Sequence, residues 1–333
     1  MSQLRKREVY LAGDIGGTKT NLGLFERGRH RPRMTAFASF PSRTPGGLES
    51  MAAEFLQRHA AAIAGACFGI AGPVAGGRSK ATNLPWSVSE KALARRFGWP
   101  RVRLVNDLTA TAMAIPMLAH RELLTLNRAR ARRGGPRALI APGTGLGQAL
   151  MIYHGDQYVP VSSEGGHADF APNSPEAVEL WQYLRERFGH VSLERVLSGP
   201  GLVNIYCWLR DSGRFTEPAW LARRMMDSDP VRIIIEAALD RRPPLCTAVL
   251  RMFSALLAAA AGNLALMGMA TGGVFLGGGI SPRILPFLQE DAFREAFVEK
   301  GRFKSLLEKI PVRVIQNDRA ALLGAACCAL DAP

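Results

Sequence analysis

Residues 9–25 read VYLAGDIGGTKTNLGLF, and this stretch decides how the amino-terminal part of the chain folds. A short apolar run, Val9 to Ala12, leads into Gly13-Asp14-Ile15-Gly16-Gly17-Thr18, and apolar residues resume from Asn21 to Phe25. Two apolar runs separated by glycines are typical of two strands joined by a tight turn. The stretch therefore predicts a β-hairpin whose turn is made of glycines.

Strand-like and helix-like segments interleave through the rest of the chain. Such interleaving is typical of α/β proteins, so we assign the chain to that class. The alanine-rich segment Asp318 to Leu330 has helical spacing, and we expect it to return to the first lobe. The other strand candidates are Cys67 to Ala71, Val102 to Val105, Ala138 to Ala141 and Val274 to Leu276, and the helix candidates include Leu48 to Ala64, Leu108 to Leu118 and Glu176 to Arg187.

The length of 333 residues suits two domains, each with its own apolar core. Gly134-Gly135-Pro136 and the arginines before it break the pattern of elements, which marks a surface loop, and we place the domain boundary a little before it. The sequence predicts a small α/β domain of residues 1–117 with 317–333, and a large α/β domain of residues 118–316.

Composition indicates a folded protein, with 47% apolar and 21% charged residues. The net charge of +14 lies partly in local clusters, Arg5-Lys6-Arg7 and the stretch Arg128 to Arg137. Such clusters are either solvated basic loops or the binding surface of an anionic substrate or partner.

Five cysteines without metal-type spacing, and no recognisable secretory segment, lead us to expect a reducing cytoplasm. The most apolar stretch, Leu256 to Leu276, is interrupted by Asn263 and runs into Gly-Gly-Val-Phe-Leu. We expect a buried helix followed by a buried strand there, and no membrane span.

The turn of the first hairpin, Asp14-Ile15-Gly16-Gly17-Thr18-Lys19, holds a carboxylate, two glycines, a hydroxyl and an ammonium. Glycines let backbone N–H groups approach an anion, Thr18 and Lys19 can donate to phosphate oxygens, and Asp14 can hold Mg²⁺ through water. The turn is therefore either a triphosphate-binding loop or a tight hairpin with ordinary turn residues.

Two further glycine loops follow strand candidates, Gly143-Thr144-Gly145-Leu146-Gly147 and Gly277-Gly278-Gly279-Ile280-Ser281-Pro282. Each alone is a common turn, but three such loops in one chain are what a bound nucleotide needs. The motif G-x-x-x-x-G-K-[ST] is absent from the sequence, and Gln148 stands where a dinucleotide-binding fingerprint needs its final glycine. The sequence therefore argues against P-loop and Rossmann enzymes.

Asn106 and Asp107 stand between a strand candidate and a helix candidate. Asp107 either caps that helix or, together with Asn106, binds and deprotonates a sugar hydroxyl.

Glu164-Gly165-Gly166-His167-Ala168-Asp169 and the later Glu194 supply carboxylates and an imidazole, which suit a neutral polyol. A zinc site is the alternative, although no second histidine stands at ligand spacing and no cysteine is near.

These motifs resemble those of the bacterial ATP-dependent glucokinases, in the hexokinase, Hsp70 and actin superfamily. The resemblance runs from Gly13 to about Leu330. The stretches that carry it most specifically are Leu104-Val105-Asn106-Asp107 with Met113 to Leu118, Gly143 to Gly147, Glu164-Gly165-Gly166-His167 with Phe170 to Ser174, and Glu194 to Asn204.

The resemblance implies a two-lobe, actin-like ATPase (ribonuclease H-like) fold with the active site in the interlobe cleft. It implies a cytoplasmic homodimeric enzyme that transfers the γ-phosphoryl group of ATP, with Mg²⁺, to the 6-hydroxyl of D-glucose, the first step of glycolysis. It assigns Asp107 as the general base. It further assigns Asn106, Asp107, Glu164, His167, Glu194 and Asn83 to glucose, and Asp14, Gly16, Gly17, Thr18, Lys19, Gly143, Thr144, Gly145, Gly277, Gly278 and Gly279 to ATP, with Asp14 also reaching Mg²⁺ through water.

Two departures from the family pattern bear on phosphate binding: the first changes the expected phosphate contacts, and the second leaves the phosphoryl donor open. Lys19 stands where many of these glucokinases carry asparagine, and the stretch Asn127 to Arg137 is unusually basic. A polyphosphate-dependent glucokinase is therefore the alternative enzyme. A sugar-responsive transcriptional regulator is the other alternative, but only about a dozen residues precede the first glycine loop, too few for a helix-turn-helix. We expect no nucleic acid and no membrane among the partners.

Overall fold

A computed structural model describes residues 8–80 and 84–331. The strands are β1 Val9–Ile15, β2 Lys19–Glu26, β3 Arg33–Pro41, β4 Ile63–Ile70, β5 Val74–Ala75, β6 Arg78–Lys80, β7 Ser87–Ser89, β8 Val102–Asn106, β9 Leu123–Thr125, β10 Arg137–Pro142, β11 Leu146–His154, β12 Gln157–Ser163, β13 Gly273–Leu276 and β14 Val312–Ile315. The helices are α1 Gly47–Arg58, α2 Glu90–Phe97, α3 Asp107–Ala114, α4 Pro175–Phe188, α5 Gly199–Asp211, α6 Ala219–Asp227, α7 Pro230–Leu239, α8 Pro244–Met267, α9 Leu285–Leu288, α10 Asp291–Val298, α11 Lys304–Leu307 and α12 Ala320–Asp331.

The chain forms two compact units. The first comprises residues 1–120, 158–162 and 317–333, and the second residues 121–157 and 163–316. Compact units need not fold independently, so the predicted domains, 1–117 with 317–333 and 118–316, stay a prediction.

The first unit contains a five-stranded sheet in the order β3-β2-β1-β4-β8. β1 and β2 pair antiparallel with Leu11 opposite Leu24, which confirms the predicted hairpin. β1, β4 and β8 are parallel to one another. Helix α1 packs on this sheet through Leu48, Met51 and Phe55, whose spacing places them on one helical face.

Helices α3 and α12 share a second core with β1. Ala110 of α3 and Ala325 of α12 are buried there with Tyr10 and Cys67. A Cβ atom on Gly324 would lie 1.6 Å from the carbonyl oxygen of Ala110, so the two helices touch backbone to backbone. The segment predicted to be helical near the carboxyl terminus therefore packs on the first sheet and supports the helix that begins at Asp107.

The second unit is built on five strands of a six-stranded sheet, in the order β11-β10-β13-β14-β9. β10, β13 and β14 run parallel, and all four residues of β13 are buried. Helix α8 is long and apolar enough to cross a membrane by length and composition, but Val249, Phe253, Leu257 and Ala261 lie fully buried along it in the core of this unit. A buried helix followed by a buried strand was the prediction, and it is confirmed.

The predicted helix Leu48 to Ala64 is too long. Helix α1 ends at Arg58, and β4 begins at Ile63, which pairs with Val9 of β1. Alanines 60–62 favour a helix locally, but strand pairing in the sheet overrides that preference. Similarly, α3 ends at Ala114, and the residues Ile115–Met117 form a 3-10 turn around Pro116.

Candidate active site

The turn between β1 and β2 presents the first group of predicted phosphate ligands. Gly16 N–H donates to the Lys19 carbonyl oxygen over 3.0 Å, and Gly17, Thr18 and Lys19 are exposed. Asp14 stands opposite Asn21 in the hairpin, and the Asn21 amide donates to its carboxylate over 3.5 Å. Burial raises the pKa of Asp14 above its ordinary value. A desolvated carboxylate beside exposed donors would be stabilised by a cation, so Asp14 fits a role in holding Mg²⁺.

Ser42 stabilises this turn through hydrogen bonds to its backbone, a role that the sequence did not indicate. The Ser42 side chain is fully buried, and its hydroxyl donates to the Gly16 carbonyl oxygen over 2.6 Å. Its N–H donates to the Thr18 carbonyl oxygen over 2.9 Å, and its hydroxyl lies 2.9 Å from that of Thr20. A serine in a polar loop gives no local signal of such a role, because its partners are more than twenty residues away in the chain.

The junction between β8 and α3 bears on the two interpretations of Asp107, as a helix cap or as a group that binds a sugar hydroxyl. The cap of α3 is Asn106, whose side-chain oxygen accepts from the N–H groups of Leu108 at 2.9 Å and Thr109 at 3.4 Å. Asp107 is the first helical residue, and one of its carboxylate oxygens accepts from the Leu108 N–H at 2.9 Å. Because Asn106 already caps the helix, capping does not by itself account for the Asp107 carboxylate.

The Asn106 amide is largely occupied by the protein itself. Besides its capping oxygen, its nitrogen donates to the Gly72 carbonyl oxygen over 3.3 Å. A primary amide carries two N–H groups, and among residues 8–80 and 84–331 the second one of Asn106 has no hydrogen-bond partner. Asn106 therefore holds the first turn of α3 on both sides of Asp107, and one of its donors is compatible with the predicted role toward a sugar.

Asp14 and the Asn106-Asp107 pair lie at the same edge of the first sheet. Asp14 is level with Gly69 in β4, and Ile70, the next residue, is level with Asn106 in β8. Two strand spacings of ~4.8 Å separate β1 from β8, so the two groups are about 10 Å apart. That distance is compatible with the two predicted roles, in which Asp14 lies near the phosphates of the nucleotide and Asp107 near the attacking hydroxyl of the sugar. Asn83, the remaining predicted ligand, lies outside the described residues.

The second and third glycine loops lie side by side in the second unit. They follow β10 and β13, which are parallel neighbours, so both loops lie at the carboxyl edge of that sheet. Gly278 has a φ of +74°, and a Cβ atom there would lie 2.2 Å from the Pro142 carbonyl oxygen at the end of β10. Only glycine fits this position. Thr144, Gly278 and Gly279 are exposed, which leaves their polar groups accessible to an anion.

Glu164 precedes a short 3-10 turn, Gly165–His167, and His167 is the last residue of that turn; both side chains are exposed. The turn presses against β11, because a Cβ atom on Gly166 would lie 2.0 Å from the Leu146 carbonyl oxygen. The two glycines thus let Glu164 and His167 sit next to the second glycine loop.

Glu194 lies on a segment paired with the one that carries Glu164 and His167. Leu193 N–H donates to the Ala168 carbonyl oxygen over 2.9 Å, and Asp169 forms a β-bridge with Ser192. The Glu194 carboxylate accepts from the Leu146 N–H over 2.8 Å. The structure therefore brings three predicted sugar ligands together beside the loop Gly143–Gly147.

No group of three or more His, Cys, Asp and Glu side chains suited to a metal ion occurs among residues 8–80 and 84–331. In the segment that raised the zinc alternative, the His190 ring instead lies 2.8 Å from the Asp169 carboxylate.

Glycine loops at the carboxyl edges of both sheets, with carboxylates beside them, suit the phosphates and the hydroxyls that a sugar kinase binds. A family model described as Glucokinase matches residues 11–332. The glucokinase of Tolumonas auensis is 38% identical over 320 residues, which cover 95% of this chain and 95% of that protein. The chain therefore belongs to the glucokinase family, as its motifs predicted.

Solved structures give the same result. The crystal structure of a glucokinase from an Antarctic psychrotroph is 31% identical, with a TM-score of 0.86 over 98% of this chain and 99% of that one. A ROK family glucokinase from Streptomyces griseus, crystallised with glucose and AMPPNP, is 21% identical with a TM-score of 0.66 over 97% and 99% of the two chains. At that identity the likeness concerns the fold alone, which is of the actin-like ATPase kind.

Proposed function

We propose that this protein is an ATP-dependent glucokinase, which transfers the γ-phosphoryl group of ATP to the 6-hydroxyl of D-glucose. Membership of the glucokinase family supports the reaction class and the sugar. The observation that carries the mechanism is the β8–α3 junction, where Asn106 caps the helix and Asp107 stands beside it at the strand end.

Asp107 would act as the general base. A positioned carboxylate takes the proton of the 6-hydroxyl as that oxygen attacks the γ-phosphorus, and ADP leaves without a covalent enzyme intermediate. Asn106 keeps the first turn of α3 in place and donates to the sugar. The glucose hydroxyls would be bound by Asn106, Asp107, Glu164, His167, Glu194 and Asn83.

The glycine loops would bind the phosphates of ATP. Their backbone N–H groups, with Thr18, Lys19 and Thr144, offset the negative charge on the transferring group. Gly277 to Gly279 would lie beside the adenosine. Asp14 would hold Mg²⁺ through water, and the metal supplies further charge stabilisation when it is bound. The cleft between two lobes expected from the resemblance stays a prediction.

The basic stretch that raised the polyphosphate alternative lies away from these loops in the second unit. It precedes β10, whereas Gly143 follows that strand. Six residues of β10 at ~3.3 Å each separate the two edges of the sheet by about 20 Å. The Arg132 N–H donates to the Thr271 carbonyl oxygen, and the Gly272 N–H donates to the Pro136 carbonyl oxygen. Both hydrogen bonds lie at the edge of the sheet opposite the glycine loops. This position favours ATP over polyphosphate as the donor.

Two donors and two sugars test the proposal. Turnover with ATP and Mg²⁺, and none with polyphosphate at matched glucose, is expected; turnover with polyphosphate alone would overturn the choice of donor. 6-Deoxyglucose lacks the attacking hydroxyl, so it should inhibit competitively without being phosphorylated. If ADP were released as fast with 6-deoxyglucose as with glucose, the phosphoryl group would be going to another hydroxyl or to water, and the 6-hydroxyl would not be the acceptor.

We also propose that the enzyme works in the cytoplasm, in glycolysis, and as a homodimer. These expectations come from the family resemblance. Light scattering coupled to size exclusion measures the assembly directly: a mass of twice 36.1 kDa is expected, and a mass of 36.1 kDa at micromolar protein would contradict the dimer.

A further inference from the structure

Residues 194–199, which we name the clasp, hold the second glycine loop at both ends. The Glu194 carboxylate accepts from the Leu146 N–H over 2.8 Å at one end of the loop. Gly199 N–H donates to the Gly143 carbonyl oxygen over 2.8 Å at the other end. The clasp therefore fixes the positions of the residues on both sides of Thr144.

The fit between the clasp and the loop is close. A Cβ atom on Gly145 would lie 2.5 Å from Oε2 of Glu194, so no larger residue fits without moving the carboxylate. Inside the loop, Gly143 N–H donates to the Gly145 carbonyl oxygen over 2.8 Å. A shift of the Glu194 side chain must therefore be transmitted to the loop.

Ser198 joins the two ends of the clasp by a hydrogen bond to the backbone of Glu194. Its side chain is fully buried, and its hydroxyl donates to the Glu194 carbonyl oxygen over 2.7 Å. The Ser198 hydroxyl oxygen in turn accepts from the Gly201 N–H over 3.0 Å, which makes Ser198 the cap of α5. One hydroxyl thus connects the backbone of Glu194 to the first turn of a helix whose first N–H binds the glycine loop.

We propose that Glu194 couples the sugar site to the phosphate loop, and that Ser198 is the positioning residue for this coupling. Among the described residues, the hydrogen bond of the Glu194 carboxylate is made by Oε2, which leaves Oε1 for a sugar hydroxyl. One carboxylate therefore serves glucose with one oxygen and the phosphate loop with the other. Disturbing the clasp weakens the binding of both substrates. The inference rests on the proposed function, in which Glu194 binds glucose.

Ser198→Ala, compared with Ser254→Ala, tests the positioning role. Ser254 is also a buried serine of the second unit, and its hydroxyl donates to the Phe287 carbonyl oxygen over 3.0 Å, outside the site. Ser198→Ala should raise the KM of glucose and the KM of ATP together, each about three- to tenfold, the scale of one hydrogen bond. The kcat should change little, because Asp107 is untouched. Ser254→Ala should leave both KM values unchanged.

Direct binding separates coupling from a loss of stability. Calorimetric titration of Ser198→Ala with AMPPNP in the absence of glucose should show weaker binding than the unmodified protein, and the melting temperatures of the two serine variants serve as the control. Unchanged AMPPNP affinity, or a loss matched by Ser254→Ala, would overturn the role of Ser198.

Gly145→Ala tests the contact between Glu194 and the second glycine loop by a change in the loop itself. Its new Cβ atom would push the Glu194 carboxylate, so glucose binding measured without any nucleotide should weaken. Unchanged glucose affinity would overturn the coupling, even if Ser198→Ala had not folded. If the unmodified protein makes no glucose 6-phosphate, the proposed function fails, whereas normal turnover with unaffected variants would refute the coupling alone.

Discussion

Gly278→Ala tests the placement of the third glycine loop, and Gly301→Ala is its matched control. Both glycines have a positive φ, +74° and +53°, so an alanine at either position bears the cost of a left-handed conformation, about 1–2 kcal/mol. Around Gly301 a Cβ atom meets nothing within 4 Å, whereas at Gly278 it would lie 2.2 Å from the Pro142 carbonyl oxygen.

Restoring an ordinary contact of 3.4 Å requires the Gly278 loop to move by about 1.2 Å. A misplacement of ~1 Å can cost about 10²-fold in rate. We therefore expect Gly278→Ala to lower kcat/KM for ATP by about 10²-fold. Gly301→Ala should keep the kcat/KM of the unmodified protein and lose only about 1–2 kcal/mol of unfolding free energy in urea. Equal kcat/KM for ATP in two folded variants would refute the assignment of this loop to the nucleotide.

Three further predictions concern single side chains. Asp14→Asn should raise the free energy of unfolding at pH 7, because burial raises the Asp14 pKa and makes its charge unfavourable. The gain should shrink as the pH falls through the raised folded-state pKa and be absent below the ordinary value of 3.8, while the KM of ATP–Mg²⁺ at pH 7 rises. Glu164→Gln should raise the glucose KM strongly, and Glu186→Gln, on the exposed face of α4, should not; an unchanged KM would place the sugar elsewhere. Asn106→Ala should cost about 1 kcal/mol in urea unfolding and lower kcat as well; wild-type kcat would contradict its positioning of Asp107.

The sequence predicted those parts of the fold that depend on neighbouring residues. The β1–β2 hairpin follows from two short apolar runs separated by glycines, and α8 with β13 follows from one long apolar stretch ending in glycines. Strand order is different, because pairing β10 with β13 joins residues more than 130 positions apart. The sequence therefore indicated three glycine loops, but not that the second and third lie side by side.

The sequence indicated the candidate ligands of the site, but it did not indicate all the residues that hold those ligands in place. Asn106 and Asp107 are both good helix caps, so propensity alone cannot decide between them; the conformation at the end of β8 makes Asn106 the cap. Ser42 carries no local signal, because the partners of its buried hydroxyl are more than twenty residues away in the chain. Ser198 differs, because it caps α5 just before Pro200, and a serine before a proline is a local signal of a helix start. The roles of the predicted ligands toward glucose and ATP stay predictions.

The central claim is that Asp107 is the base of a glucose phosphotransferase. The most direct measurement is formation of glucose 6-phosphate from ATP–Mg²⁺ and glucose, followed with a coupled dehydrogenase, in the unmodified protein, Asp107→Ala and the control Asp229→Ala. Asp229 also accepts from a helix N–H, that of Val231, but stands at α7. We expect turnover that falls by at least ~10²-fold in Asp107→Ala alone, with glucose still bound. Near-normal turnover in a folded Asp107→Ala variant would contradict the claim.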